Sequence, residues 1–151
     1  MVTAIHLAKP EDFDRLDALV AAFHQEEGIE LSPDQRQSGL LPLLEGIPHG
    51  VAYLIGPARA PIGYIVLTFT WSVEYGGLDG FIDEIYLRPA VRGRGIASEV
   101  MQTLPAKLAE AGLNTIHLEV DRDNTRAIKL YERIGFRPRE SYVIMSKRLR
   151  S

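Results

Sequence analysis

The hexapeptide Arg92-Gly93-Arg94-Gly95-Ile96-Ala97 constrains the fold of this chain more than any other stretch. Before it, Phe81–Leu87 reads as a strand. After it, Ser98–Gly112 reads as a helix, with Ile96, Val100, Leu104 and Leu108 forming one apolar stripe at steps of four. A strand that turns through a glycine/arginine loop into a helix N-terminus makes a cradle for a phosphate group. Gly93 and Gly95 have no Cβ to hold a ligand off the backbone, and Arg92 and Arg94 add positive charge. A strand and a helix joined this closely place the chain among α/β proteins.

The segments on either side agree with that class. Thr3–Leu7 is a first strand. Pro10 opens a helix with Glu11 and Asp12 at the positive end of its dipole, and Phe13, Leu16, Leu19, Val20 and Phe23 carry it to about Gln25, ahead of Gly28. Ser32-Pro33-Asp34 caps a second helix, made irregular by Gly39 and Pro42. Val51–Ile55 and Ile62–Trp71 form an antiparallel hairpin about the turn Gly56–Pro61. Glu74–Gly80 is a further turn. The helix after the loop contains Pro105, whose missing N–H and ring clash cost about 3 kcal/mol in a regular interior, so a kink is expected there. Thr115–Val120 is a fifth strand, Asn124 starts a helix that Gly135 stops, and Phe136 leads into a last pair of strands, the second near Tyr142–Met145.

Size and charge limit the function classes. The 151 residues, 46% of them hydrophobic, suffice for one domain spanning 1–151 with a sizeable core. A net charge of −3 supplies no general attraction for nucleic acid. The absence of cysteine excludes a disulfide framework, a thiolate metal site and a cysteine nucleophile. His6, His24, His49 and His117 are scattered without ligand spacing, so no metal site is expected. Met1–Pro10 has no secretory pattern and no apolar run reaches membrane-spanning length, which makes the expected location cytoplasmic, without a membrane partner.

Three phosphate-binding patterns can be compared with the loop. A P-loop needs Gly-Lys-Ser/Thr at the helix start, where this chain has Gly95-Ile96-Ala97. A dinucleotide-binding unit needs G-x-G-x-x-G in its first βαβ element, and Gly93-x-Gly95-x-x-Ser98 is one step short and late in the chain. Two motifs together fit a third pattern. Arg92-x-x-Gly95-x-Ala97 resembles the pyrophosphate loop of the GNAT acetyltransferase superfamily, and Asn124-x-x-Ala127-x-x-Leu130-Tyr131-x-x-x-Gly135-Phe136 resembles its second coenzyme A segment. Glu84-Ile85-Tyr86-Leu87-x-Pro89 is similar to the usual approach to that loop. The resemblance is specific from Phe81 to Phe136 and topological before it.

The resemblance implies a central mixed, mostly antiparallel sheet of six or seven strands with about four helices, its fourth and fifth strands splayed. It implies acetyl-CoA as co-substrate. The backbone of Ile85, Tyr86 and Leu87 would lie along the pantetheine arm. Arg92, Gly93, Arg94, Gly95, Ile96, Ala97 and Ser98 would hold the pyrophosphate, with Asn124, Ala127 and Tyr131 as further contacts. Tyr131 occupies the position of the acid toward the coenzyme A sulfur. Glu84 occupies that of the general base, with its neighbour Asp83, water or an acid from the amino-terminal half as alternatives. Asp83 would face the other side of a regular strand, an alternation that a bulge would spoil.

The acceptor would be a small-molecule or peptide amine. Glu26, Glu27, Glu30, Glu74, Asp79, Asp83 and Glu84 give its expected side an acidic character suited to a cation. Phe81–Val100, including Ser98-Glu99, has a passing similarity to diamine acetyltransferases. His24 reads as a surface histidine or as a neighbour of the acceptor, and Trp71 and Tyr75 as turn packing or acceptor-pocket lining. The alternative to an enzyme is a non-catalytic acyl-CoA-binding module on the same fold. A monomer and a homodimer paired through the last strand are both compatible with the sequence.

Overall fold

Pro10 begins a single 3-10 turn, Pro10–Asp12, that feeds α1, Phe13–Glu27. Gly28 ends α1 with φ 72°, a left-handed geometry that favours glycine. Ser32 and Gln35 then cap α2, Pro33–Glu45, reciprocally: Ser32 Oγ accepts from the Gln35 N–H at 3.2 Å, and Gln35 Oε1 accepts from the Ser32 N–H at 2.8 Å. The structure is a computed structural model that describes residues 2–150. It divides into two compact units, Met1–Glu119 and Val120–Ser151.

The first unit holds five strands in the order of the chain: β1 Ile5–Leu7, β2 Gly50–Ile55, β3 Gly63–Ser72, β4 Gly77–Leu87 and β5 Thr115–Leu118. Neighbours from β1 to β4 are antiparallel, while β4 and β5 are parallel through the crossover helix α3, Ile96–Glu110. α3 continues as one helix through Pro105. β5 pairs only with Asp79–Ile82, so the second half of β4, Asp83–Leu87, runs on without a β5 partner.

Helices cover both faces of the sheet. α1 and α2 pack Leu16, Leu19, Val20, Leu40 and Leu44 on Ala52, Leu54, Tyr64, Val66 and Tyr86. On the other face Ile55, Leu87 and Val100 form a second cluster with Ile62, Ile96 and Ala97. The ladder between β3 and β4 contains one irregularity. Val66 stands opposite Glu84 but Leu67 stands opposite Ile82, which leaves Asp83 as the extra residue of a β-bulge.

The second unit contains α4, Thr125–Arg133, capped by Asn124, whose Oδ1 accepts from the Ala127 N–H at 3.2 Å. The expected last pair of strands does not form. The described residues give a five-stranded sheet rather than six or seven, and 134–150 contain no strand. Tyr142, Val143, Ile144 and Met145 are exposed. β-propensity expresses packing on a pleated, half-buried surface, and these side chains have no such surface to pack on.

Candidate active site

The bulge at Asp83 turns Glu84 toward the α1 face of the sheet. Glu84 pairs with Val66 and shares that face with Tyr64 and Tyr86, whereas Ile82 pairs with Leu67 and looks the other way. Both carboxylate oxygens of Glu84 are engaged. Oε1 accepts from the Tyr64 hydroxyl at 2.7 Å, and Oε2 lies 2.7 Å from His24 Nε2. Tyr64 is fully buried. Burial, and then the adjacent Glu84 charge, push its phenol far above the ordinary range, so it remains a donor.

His24 comes from α1. It is 7% exposed, which corrects its reading as a surface histidine. The signal was in the helix itself, because Leu16, Val20 and His24 follow one another at steps of four and all three are buried. Its other ring nitrogen, Nδ1, is shielded and has no hydrogen-bond partner. His24 is also among the residues that line a cleft of about 630 Å³ at the α1–α2 corner, with Ala21, Gln25, Ile29, Glu30 and Arg36. Tyr64 had no place among the expected site residues. A tyrosine inside an apolar strand is read as core, and only the register that sets it beside Glu84 shows its second role.

Asp83 is the bulge residue itself, without a partner in the β3–β4 register. It is exposed on the bulge, yet the surrounding protein and the charges of Glu84 and Glu119 raise its carboxyl above the usual range. The buried Tyr86 packs its ring near Phe23 and Tyr64, at centroid distances of 5.8 and 6.1 Å. Ile85 is half-buried and Leu87 buried. The Leu87 carbonyl accepts from Arg92 Nε at 2.9 Å.

Arg92 is tied down beyond that contact. Its Nη2 donates to both Glu26 oxygens at 3.0 and 2.9 Å, and its guanidinium lies over the Tyr86 ring, 5.4 Å from the centroid. The C-terminal turn of α1 therefore holds both the Glu84 carboxylate and the loop arginine. Arg94 is exposed. Gly93 and Gly95 have φ 78° and 80°, and Gly95 is the N-cap of α3. A Cβ on either would meet no protein atom within 4 Å. The glycines are thus required by backbone geometry, and the space above them is open to a ligand. The first N–H groups of α3, Ile96, Ala97 and Ser98, have no intrahelical acceptor. Ile96 and Ala97 turn their side chains into the apolar cluster, while Ser98 Oγ accepts from Gln102 Nε2 at 3.1 Å. This loop fits a pyrophosphate, with open space, amide donors and an exposed arginine in one place.

Glu99 faces elsewhere, accepting from the Thr3 N–H and hydroxyl at 2.6 and 2.7 Å. Trp71 is exposed, and the Tyr75 ring lies 5.2 Å from His117, whose Nε2 is 2.9 Å from Asp79. Among the described residues, no group of three His, Asp or Glu side chains is placed to hold a metal ion. No helix among them is long and apolar enough to cross a membrane.

In the second unit, Asn124 serves its helix and Ala127 donates to it. Tyr131 is half-buried, its ring edge-on to Phe136 at 5.9 Å, and burial raises its phenol above the ordinary value. A phenol in that state is protonated at neutral pH and able to donate.

The chain is 36% identical over 77 residues, 49% of its length, to acetyltransferase SG1711 of Sodalis glossinidius. It is 32% identical over 127 residues, 80% of its length, to the mycothiol acetyltransferase of Thermobispora bispora. It spans only about half of these curated relatives, 54% and 40% of their lengths. The structure of the integron cassette protein HFX_CASS3 from the Cole Harbour Salt Marsh metagenome superposes with a TM-score of 0.82 at 30% identity, over 97% of this chain and 91% of that one. The profile described as Acetyltransferase (GNAT) family matches residues 13–136, and the chain belongs to that family.

Proposed function

We propose that this chain is an N-acetyltransferase that moves an acetyl group from acetyl-CoA to a primary amine by direct attack on the thioester. The observation that carries the reading is the layout of β4 and its continuation. The strand presents Glu84, paired with His24 and Tyr64, along the stretch that has no β5 partner, and it leads into the open Gly93–Gly95 cradle. The amides of Gly93–Ser98, together with Arg94, would hold the pyrophosphate, and Arg92 would join them on leaving Glu26. The bound group supplies an acetyl thioester, an activated acyl donor.

The chain's own residues do the rest. An acceptor ammonium must lose a proton, the oxyanion must meet a donor, and the departing thiolate must be protonated. Tyr131 is the proposed acid toward the sulfur, in keeping with its motif position and its raised phenol. Glu84 and its partners serve the amine. Glu26, Glu27 and Glu30, at the end of α1 and just beyond it, favour a cationic acceptor, small-molecule or peptide.

Calorimetry with acetyl-CoA tests the donor. No binding at millimolar concentration would overturn the reading. Release of coenzyme A across a panel of polyamines, amino acids, aminoglycosides and peptide N-termini tests the transfer. Binding without turnover on any amine would favour an acyl-CoA-binding module instead.

A further inference from the structure

We propose that Thr3 is a positioning residue for the anion cradle. It holds the Glu99 carboxylate off the positive end of α3, where the pyrophosphate is to bind. The inference rests on the acetyl-CoA reading and concerns how this chain keeps that site clear of its own negative charge.

The need for such a residue is written in the cradle. The loop Arg92–Ala97 runs on into Ser98 and Glu99, so the first turn of α3 carries a carboxylate beside the amides offered to the ligand. The Glu99 N–H is already taken by the Gly95 carbonyl at 3.0 Å, which fixes its backbone inside that turn. Side chains on a helix lean toward its N-terminus, over the preceding turn. A carboxylate there is drawn to the positive end of the helix dipole. An unrestrained Glu99 would therefore compete with an anionic ligand for the same helix end and repel it.

The structure gives that carboxylate another place. Thr3, 96 residues earlier in the chain, meets it with two donors. The Thr3 N–H donates to Oε1 at 2.6 Å and the hydroxyl to Oε2 at 2.7 Å, so both oxygens are filled. These bonds, the hydroxyl first, hold the Glu99 carboxyl below its ordinary value. The charge is thus kept at neutral pH, and its effect on the cradle depends on where it is held. Thr3 is itself fixed from the strand that follows it. The Ala4 carbonyl accepts from the Gly56 N–H at 2.8 Å, and Ile5 of β1 packs on the Ile55–Val100 cluster, as do Ile96 and Ala97. The amino-terminal strand and the cradle's helix share that cluster, which sets Thr3 in register with Glu99.

Calorimetry with acetyl-CoA, and with inorganic pyrophosphate as a second probe, tests the assignment. Thr3→Val removes the hydroxyl alone and should weaken both ligands by about two- to fivefold. Thr3→Ser, which keeps the hydroxyl, should bind as the parent does. Glu99→Asp retains the charge but is too short to reach Thr3, so it should show the same loss on an unaltered amino-terminal strand. The deficits should shrink as salt is raised, because the repulsion is screened. In a Glu99→Gln background Thr3→Val should have no further effect. A loss of equal size in that background would show that Thr3 serves only to hold β1, and would overturn the proposal. So would parental affinity in both Thr3→Val and Glu99→Asp, each shown to be folded by its thermal melt. The expected ranking with pyrophosphate, in a chain that ignores acetyl-CoA, would overturn the acetyl-CoA reading and support the role of Thr3. Binding of neither probe by the unaltered chain would overturn both.

Discussion

Ile82 and Glu84 are two positions apart in one strand yet lie on opposite faces of the sheet, because Asp83 is the extra residue of a bulge between them. In a regular strand the two side chains would share a face. The bulge moves a carboxylate off the α3 side and sets it against α1, within 2.7 Å of both Tyr64 and His24. The local irregularity thereby creates the Glu84–Tyr64–His24 cluster.

Tyr64→Phe isolates the hydrogen bond to Glu84. The substitution keeps the ring in its fully buried slot and removes only the hydroxyl that donates to Glu84. A hydrogen bond to a charged group contributes about 1.5–3 kcal/mol, so a loss of that order is expected in urea unfolding. The denaturant slope should stay unchanged, because no cavity or surface is created. Coenzyme A release should fall as well, through kcat more than KM, since Glu84 loses one of its two fixed partners. A variant as stable as the parent would show that the Tyr64 contact contributes nothing net.

The helices were legible in the sequence because their ends are written in single residues. Ser32-Pro33 starts α2, Gly28 stops α1, and Asn124 caps α4. The Gly93–Gly95 turn into α3 was legible for the same local reason, since two closely spaced glycines before an apolar helical stripe mark a tight strand-to-helix turn. The bulge was not legible in its position, because it is a property of β4 measured against β3. The burial of His24 was concealed by its acidic neighbours, although its spacing from Leu16 and Val20 placed it on the buried face. The strands expected after Phe136 show the reverse error. Tyr142–Met145 has the composition of a strand, but a strand exists only where an edge pairs with it.

Glu26 and Arg92 form an exposed pair, with side chains 42% and 43% accessible, so their contact should contribute no more than about 1 kcal/mol to stability. Its effect on ligand binding should be larger. Glu26→Gln leaves Arg92 without its carboxylate and free to turn to an anion at the Gly93–Gly95 loop. Acetyl-CoA should bind this variant more tightly than the parent in calorimetry, and more weakly to Arg92→Ala. Equal affinities for all three proteins would remove Arg92 from the pyrophosphate site.

Gly95→Ala separates backbone strain from ligand exclusion. The residue has φ 80° and no protein atom near its would-be Cβ. Placing an L residue in that region costs about 1–2 kcal/mol. Gly76→Ala, in the β3–β4 turn at φ 77° with equally open surroundings, should cost the same stability. Only Gly95→Ala should also weaken acetyl-CoA binding, because only there does the methyl group enter the space proposed for the pyrophosphate. Thermal melts and calorimetry on the two variants give both numbers, and equal affinities would contradict the placement.

Asp12 and Asp83 should leave opposite marks on stability as pH changes. Burial of Asp12 works against its charge, but the Lys9 N–H at 2.9 Å and the Arg15 guanidinium at 2.8 Å outweigh it and hold its carboxyl below the usual value. A carboxylate whose pKa is lower folded than unfolded stabilises above the unfolded value, and that contribution is lost as pH falls through the folded one. Asp12→Asn should therefore destabilise at neutral pH by about 1 kcal/mol, the usual cost of losing a helix-start cap. The deficit should shrink as pH falls below the ordinary carboxylate range. Asp83 is shifted the other way, by the surrounding protein and then by Glu84 and Glu119. Its folded form binds a proton more readily than its unfolded form, so its charge opposes folding once pH rises above the unfolded value. Asp83→Asn should raise the melting temperature at neutral pH and leave it unchanged in acid. Melting curves for both variants from neutral to acid pH check the two signs. A destabilised Asp83→Asn at neutral pH would mean that the bulge needs that carboxylate for its own geometry.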